Sequence, residues 1–291
     1  MSSGASPLGP ARQLGLLGHP VGHSVSPAMH NAAFRSQQMS AVYGAFDVEP
    51  GQLRAAIDGV RALGFLGLNV TIPHKEAVME FLDEVAPTAR QVGAVNTIVN
   101  RGGRLMGYNT DGWGFISSLE EHRIRVAGVN AVILGAGGAA RAVALHLALA
   151  GVRRLTISNR TPQRAEALAQ DVQPAAPHVK VDAVEALSPE ERVALMDAGL
   201  VVNCTPLGMH PNEAASPVQE INLLPQGAVV YDTVYRPLET RLLREARIRG
   251  LHTVSGLSML VHQGACAWEY WFGRRGPTSV MQTAALAALE G

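Results

Sequence analysis

Short apolar runs alternate with amphipathic stretches along most of this chain. Leu14 to Leu17 reads as a strand, followed by the loop GHPVGHSVSP and a helix from about Pro27 to Gln37. Val42 to Val48 reads as a second strand, and Gln52 to Leu63 as a helix with Leu53, Ile57, Val60 and Leu63 at helical spacing. Phe65 to Ile72 is a third strand ended by Pro73, with a helix expected from Lys75 to Val85. Val95 to Val99 and Arg104 to Tyr108 flank Asn100-Arg101-Gly102-Gly103, a hairpin-type turn. This alternation predicts a first, mostly parallel α/β unit.

A second unit is expected from about Val126 to Gly256, with strands near 131–134, 154–158, 179–182, 200–204, 228–234 and 251–254 and helices between most of them. That pattern predicts a Rossmann-type, doubly wound domain. Helices from Leu257 to Phe272 and Ser279 to Leu289 close the chain, and periodicity leaves open which unit they join. No internal repeat or low-complexity tract interrupts the sequence.

The sharpest local signal is Ala131 to Gly151. Val132-Ile133-Leu134 is the kind of apolar run buried on both faces of a parallel sheet. It runs into Gly135-Ala136-Gly137-Gly138-Ala139-Ala140, which fits the G-x-G-x-x-G/A turn. Gly135 permits the tight turn, Gly137 lets backbone approach a pyrophosphate, and Ala140 allows close helix–strand packing. Glycines also end strands for structural reasons alone, but strand, turn and helix in this order favour a dinucleotide site. The next strand ends in Asn159-Arg160-Thr161, with Arg164 one helical turn on, where an NAD fingerprint expects a carboxylate. Two guanidiniums and no carboxylate suit a 2′-phosphate, so the expected cofactor is NADP.

Composition narrows the class without naming a function. The 291 residues allow one or two domains, and 47% hydrophobic with 16% charged residues describes a globular chain. Twenty-four basic and 24 acidic residues cancel, so nothing draws the chain as a whole to nucleic acid or an anionic membrane. The most apolar stretch, near Ala142 to Gly151, carries His146 and is too short to span a bilayer. Cys204 and Cys266 form no C-x-x-C pair, which suits free thiols in a reducing compartment. The N-terminus MSSGASPLGPARQ has neither the basic nor the apolar part of a secretory signal and reads as a flexible tail. A cytoplasmic protein is expected. The histidines show no ligand spacing, so no metal site is expected.

Polar clusters fall at expected strand ends in the first unit, where ligands gather in open α/β sheets. Ser24 and Ser26 lie beside a helix start, and Ser26 ahead of Pro27 also reads as a plain N-cap. Lys75, in Asn69-Val70-Thr71-Ile72-Pro73-His74-Lys75, falls in the first turn of the expected helix, where the macrodipole disfavours a cation and eases deprotonation. A solvated surface lysine fits the same evidence. His74 reads as structural. Asp111, in Tyr108-Asn109-Thr110-Asp111-Gly112, precedes an expected helix Gly114 to Glu121 and locally reads as its N-cap. Gly93-Ala94-Val95-Asn96-Thr97 adds the Asn96 amide at another strand mouth.

Taken together, GHPVGHSVSPAMHN, NVTIPHK, GAVNT, NTDG, GAGGAAR, NRTPQR, NCTPLGM, YDTVY and GLSMLVHQGA resemble shikimate dehydrogenase, in that family's order and over nearly the whole chain. The resemblance implies NADPH-dependent reduction of 3-dehydroshikimate to shikimate in aromatic amino-acid biosynthesis. It implies a substrate-binding domain over 1–111, with 257–291 returning to it, and an NADP-binding domain over 112–256. It places Ser24, Ser26, Thr71, Asn96, Tyr235 and Gln263 on the substrate, with Lys75 and Asp111 as a catalytic pair that also contacts it. It places Gly135, Ala136, Gly137, Gly138 and Ala139 at the pyrophosphate, and Asn159, Arg160, Thr161 and Arg164 at the 2′-phosphate end. Thr205, Thr233 and Gly256 would lie along the cofactor, although relatives often carry a larger apolar residue at the Thr233 position. The implied partners are small molecules, without nucleic acid or membrane, and both a monomer and a homodimer are compatible. Two rivals are a quinate/shikimate dehydrogenase using NAD and a non-catalytic sensor of NADPH or a metabolite. Arg160 and Arg164 oppose the first, and retention of Lys75 with Asp111 opposes the second.

Overall fold

A computed structural model describes residues 11–290; the segment read as a tail lies, as far as Pro10, outside the described residues. The chain divides into two compact units, one taking residues up to Thr110 together with those from Gly264 onward, the other running Asp111–Gln263.

The first unit is built from β1 (Arg12–Gly18), α1 (Ser26–Ser36), β2 (Ala41–Asp47), α2 (Leu53–Ala62), β3 (Gly67–Val70), β4 (Glu84–Val85), α3 (Pro87–Val92), β5 (Thr97–Arg101) and β6 (Arg104–Tyr108). Its six strands are ordered β2-β1-β3-β5-β6-β4. β5 pairs antiparallel with both neighbours, and the remaining pairs are parallel. β5 alone is reversed because the Asn100–Gly103 hairpin, with Gly102 and Gly103 at positive φ, joins it directly to β6. The carboxyl ends of β1, β3 and β6 and the start of β5 therefore share one end of the sheet. Leu17, Leu68, Val70 and Ile98 from the strands pack with Leu53, Ile57 and Val60 of α2 on one face.

Three expectations fail in this unit. The helix expected from Lys75 to Val85 is a turn, then a 3-10 segment Ala77–Phe81, then β4. Tertiary contacts override local propensity there. Glu84 and Val85 pair with β6, the Asp83 carboxylate accepts the Leu105 N–H at 2.6 Å, and Pro87 forces the preceding Ala86 into extended backbone. Lys75 consequently lies in a turn, and the helix-dipole argument for it falls away. Ser26 is not the cap of α1: Val25 occupies that position and Ser26 is the first helical residue. α3 and β4 are too short to leave a periodic trace in the sequence.

The second unit contains α4 (Asp111–Glu121), β7 (Asn130–Leu134), α5 (Gly138–Leu149), β8 (Arg154–Asn159), α6 (Pro162–Val172), β9 (Lys180–Glu185), α7 (Pro189–Met196), β10 (Leu200–Asn203), β11 (Val229–Asp232), α8 (Arg241–Ile248), β12 (His252–Val254) and the start of α9 (Gly256–Phe272). α10 (Thr278–Glu290) follows in the first unit. Helix α4 begins at Asp111, so Asp111 is a first-turn residue and not the N-cap of a later helix; its charge suits the positive end of the dipole. The strand order β12-β11-β10-β7-β8-β9, all parallel, is the doubly wound arrangement.

Side chains alternate across that sheet with period 2. Ala131, Ile133, Leu155, Ile157, Leu200 and Val202 pack with α5 and α6, while Val132, Leu134, Val201 and Val230 pack with Leu195 of α7 and Leu242, Leu243 and Ala246 of α8. Burial on both faces explains why these strands read as continuous apolar runs. Among the described residues no helix is long and apolar enough to cross a membrane.

Candidate active site

The GHPVGHSVSP loop leaves β1, and Ser24 and Ser26 stand where it turns into α1. The Ser24 hydroxyl accepts the Ser26 backbone N–H and donates to the Ser26 hydroxyl, both at 3.2 Å. Thr71 directly follows β3, and its methyl group lies where a Cβ on Gly18 would stand, 2.3 Å from it. β1 can end beside this threonine only with glycine there. Four residues on, the Lys75 carbonyl accepts the Val95 N–H at 2.8 Å, which ties the lysine's backbone to the residue before Asn96. The Lys75 side chain is half-buried. His74 behaves as the structural residue expected, buried with its Nε2 donating to the Val48 carbonyl at 2.6 Å.

Asn96 is buried and its amide holds the chain leaving β6. Its Nδ2 donates to the Thr110 hydroxyl at 2.9 Å, and its Oδ1 accepts the Thr110 backbone N–H at 2.8 Å. Both bonds hold the residue immediately before Asp111. Asn69, to which no role was attached from the sequence, proves to be the hub beneath these groups. It accepts from the Tyr43 hydroxyl at 2.8 Å and donates to the Asn96 carbonyl and the Thr97 hydroxyl, both at 3.1 Å. The signal was present: a buried asparagine inside the apolar run GLNV needs partners to offset its desolvation. Ser24, Ser26, Thr71, Lys75 and Asn96 thus gather at the end of the first sheet where β1, β3 and β6 finish.

In the second unit the glycine turn has the form its spacing predicts. Gly135 has φ +108 and donates its N–H to the Ser158 carbonyl at 2.7 Å. Gly137 caps α5, and a Cβ on it would meet nothing within 4 Å. That open space, with Gly138 and Ala139 opening the helix and no side chain capping it, is what a pyrophosphate needs at a helix N-terminus. Asn159 ends β8 and turns its amide back onto the Thr161 carbonyl at 2.9 Å. Thr161 caps α6, and Arg160 and Arg164 are exposed on either side of it. Beneath them the buried Glu191 accepts the Ser158 hydroxyl at 2.6 Å, an anchor invisible in sequence because α7 lies far along the chain. NADP fits these residues.

The other cofactor positions follow β10, β11 and β12. Thr205 leaves β10 with its backbone N–H and its hydroxyl both donating to Asn203 Oδ1, at 2.9 and 2.7 Å. Thr233 follows β11, and a Cβ on Gly256 would lie 2.1 Å from its carbonyl oxygen, so only glycine fits at the head of α9. Tyr235 lies on the same loop as Thr233 and is half-buried. Gln263, two turns along α9, lies close to Gly114 of α4: a Cβ on Gly114 would sit 2.7 Å from Gln263 Cβ and 2.9 Å from the Met259 carbonyl. α4, opened by the buried Asp111, and α9 are therefore neighbours within this unit.

Residues 16–98 match the family model described as "Shikimate dehydrogenase substrate binding domain", residues 118–203 match "Shikimate / quinate 5-dehydrogenase", and residues 256–286 match "Shikimate 5'-dehydrogenase C-terminal domain". The chain is 72% identical to the shikimate dehydrogenase (NADP(+)) of Symbiobacterium thermophilum over 97% of its own length and 96% of that protein. The chain belongs to the shikimate dehydrogenase family. A shikimate dehydrogenase crystallised with NADP+ superposes with a TM-score of 0.88 at 43% identity, covering 96% of each chain. The Thermus thermophilus enzyme in complex with NADP(H) and shikimate gives 0.86 at 42% identity, over 96% of this chain and all of that one. Likeness at this level bears out the two-domain α/β fold expected from the alternating elements.

Proposed function

We infer that this protein is an NADP-dependent oxidoreductase that reversibly reduces 3-dehydroshikimate to shikimate. The observation that carries it is the pairing of two sets in one chain: a hydroxyl, amide and lysine cluster at the sheet end of the first unit, and an open glycine turn flanked by Arg160 and Arg164 in the second. The first unit is assigned to substrate and the second to NADP. Bound NADPH supplies the hydride. The chain's own groups handle charge and orientation. Ser24, Ser26, Thr71 and Asn96, with Tyr235 and Gln263, hold hydroxyls and carboxylate. Lys75 stands by the carbonyl oxygen, neutralises the negative charge growing there and donates the proton. Asp111 orients the lysine ammonium and a substrate hydroxyl. The double hold of Asn96 on Thr110 supports this role, because it fixes the backbone from which Asp111 departs.

Arg160 and Arg164 favour NADP over NAD, since a guanidinium gains a charge-assisted bond only when the 2′-phosphate is present. Both cysteines are free, in keeping with work in the cytoplasm. The assay follows NADPH absorbance with shikimate or quinate, each offered with NADP+ or NAD+. Turnover with shikimate and NADP+ is expected. Preference for quinate with NAD+ would overturn the assignment, and no turnover with any pair would leave a binding protein.

A further inference from the structure

Asp232 is the last residue of β11, completely buried, and makes none of its hydrogen bonds to a cation. Its Oδ1 accepts from Asn203 Nδ2 at 2.9 Å and from the Val234 N–H at 3.0 Å, and its Oδ2 accepts from the Thr240 hydroxyl at 2.7 Å. Burial pushes the carboxyl up to about 6 while those three bonds pull it down. A buried carboxylate is costly compared with an apolar side chain, so its presence calls for a role. An ionised carboxylate only accepts hydrogen bonds, and that polarity propagates. Asn203 must turn its NH2 toward Asp232, with a second N–H on the Leu207 carbonyl at 3.2 Å. Its Oδ1 is thereby aimed at Thr205, where it receives both the backbone N–H and the hydroxyl. On the other side, Val234 carries the hold forward, because its carbonyl accepts the Gly256 N–H at 3.1 Å.

The loops after β10 and β11, and the head of α9 after β12, are thus set by one acid. In a doubly wound domain the two halves of the sheet each serve one mononucleotide. The half with β7 and β8 carries the glycine turn and the arginines, leaving β10, β11 and β12 to the nicotinamide side.

We propose that Asp232, acting through Asn203, is a positioning residue that shapes the nicotinamide half of the cofactor site. The proposal rests on the NADP reading above. Asp232→Asn would let two amides compete for one polarity and free Asn203 to flip. Calorimetric titration of the whole protein with NADP+ and with 2′,5′-ADP, which carries only the adenosine half, separates the possibilities. In Asp232→Asn the Kd for NADP+ is expected to rise about 10- to 50-fold, while that for 2′,5′-ADP stays within about twofold. Asn203→Ala, which leaves Asp232 its bonds to Val234 and Thr240, is expected to behave in the same way and serves if the first variant does not fold. Thr240→Ser retains the hydroxyl and should match the unaltered protein; Thr240→Val should weaken NADP+ alone. Equal weakening of both ligands would show general loosening and overturn the proposal, as would unchanged NADP+ affinity in Asn203→Ala. Failure of the unaltered protein to bind 2′,5′-ADP would sink the cofactor assignment itself.

Discussion

His30 makes the acid stability of the first unit predictable. It is fully buried, stacked on Tyr43 with centroids 4.3 Å apart, and edge-on to Trp271 at 5.7 Å. Trp268 Nε1 donates to its Nδ1 at 3.0 Å, and its Nε2 has no partner. Indole can only donate, so Nδ1 must be an acceptor and the ring neutral. Protonation would set two N–H groups against each other in a fully buried site. Stacking on Tyr43 offers the cation about 1–2 kcal/mol, far less than the several kcal/mol that desolvation costs it. Burial accordingly lowers its pKa from 6.5 to about 3.

In the unfolded chain His30 takes up a proton below about pH 6.5, and in the folded protein only near pH 3. The unfolded state therefore binds more protons across that window, and stability falls as pH drops, by about 1.4 kcal/mol per unit. Between about pH 7 and pH 5 the loss is about 2 kcal/mol, reaching about 4 kcal/mol at pH 3. His30→Asn keeps an acceptor for Trp268 but does not titrate. It should be less stable than the unaltered protein near neutrality by about 1–3 kcal/mol for lost stacking and volume. That gap should close by about 2 kcal/mol on going to pH 5, other titrations cancelling in the difference. Urea unfolding followed by tryptophan fluorescence reads the right region, since Trp268 and Trp271 flank His30 and only Trp113 lies elsewhere. Parallel stability–pH curves for the two proteins would refute the reasoning.

Three further outcomes follow from the site. Lys75→Ala should lower kcat by about 10²- to 10⁴-fold, about 3–5 kcal/mol of barrier, and steady-state kinetics within a few-fold of the unaltered enzyme would remove the lysine from the reaction. Arg160→Ala should weaken NADPH by about 10- to 100-fold and spare NADH, from loss of one charge-assisted contact of about 1.5–3 kcal/mol; equal effects on both cofactors would mean Arg160 does not read the phosphate. Gly256→Ala places a methyl 2.1 Å from a backbone carbonyl that cannot rotate away, so it should destabilise the second unit by about 1–3 kcal/mol, and an unchanged melting temperature would contradict the packing.

The glycine turn, the parallel strands of the second unit and the arginines at the end of β8 were legible because each is a local matter. Apolar runs, a turn with defined backbone demands and a helix start lie within about 20 residues of one another, and the chemistry that shapes them acts over the same span. The motif order likewise identified the family. The segment after Lys75 departs from its local pattern for the opposite reason. Its spacing permits a helix, but pairing with β6, residues away in sequence, captures Glu84 and Val85 first. Helices α1 and α4 start one and three residues before the expected positions because boundary geometry depends on what the flanking backbone bonds to.

What the sequence determined alone is the kind of element in most of the chain, the stretch from Lys75 to Val92 excepted, and the identity of the polar groups at strand ends. Which of those groups share a partner was decided by tertiary structure. Asn69 with Asn96, Ser158 with Glu191, and Asn203 with Asp232 are each brought together across 27 to 33 residues. A buried amide or carboxylate declares in sequence only that it needs partners. Strand order and helix packing choose them, because hydrogen bonds reach about 3 Å and only the folded backbone brings distant residues that close.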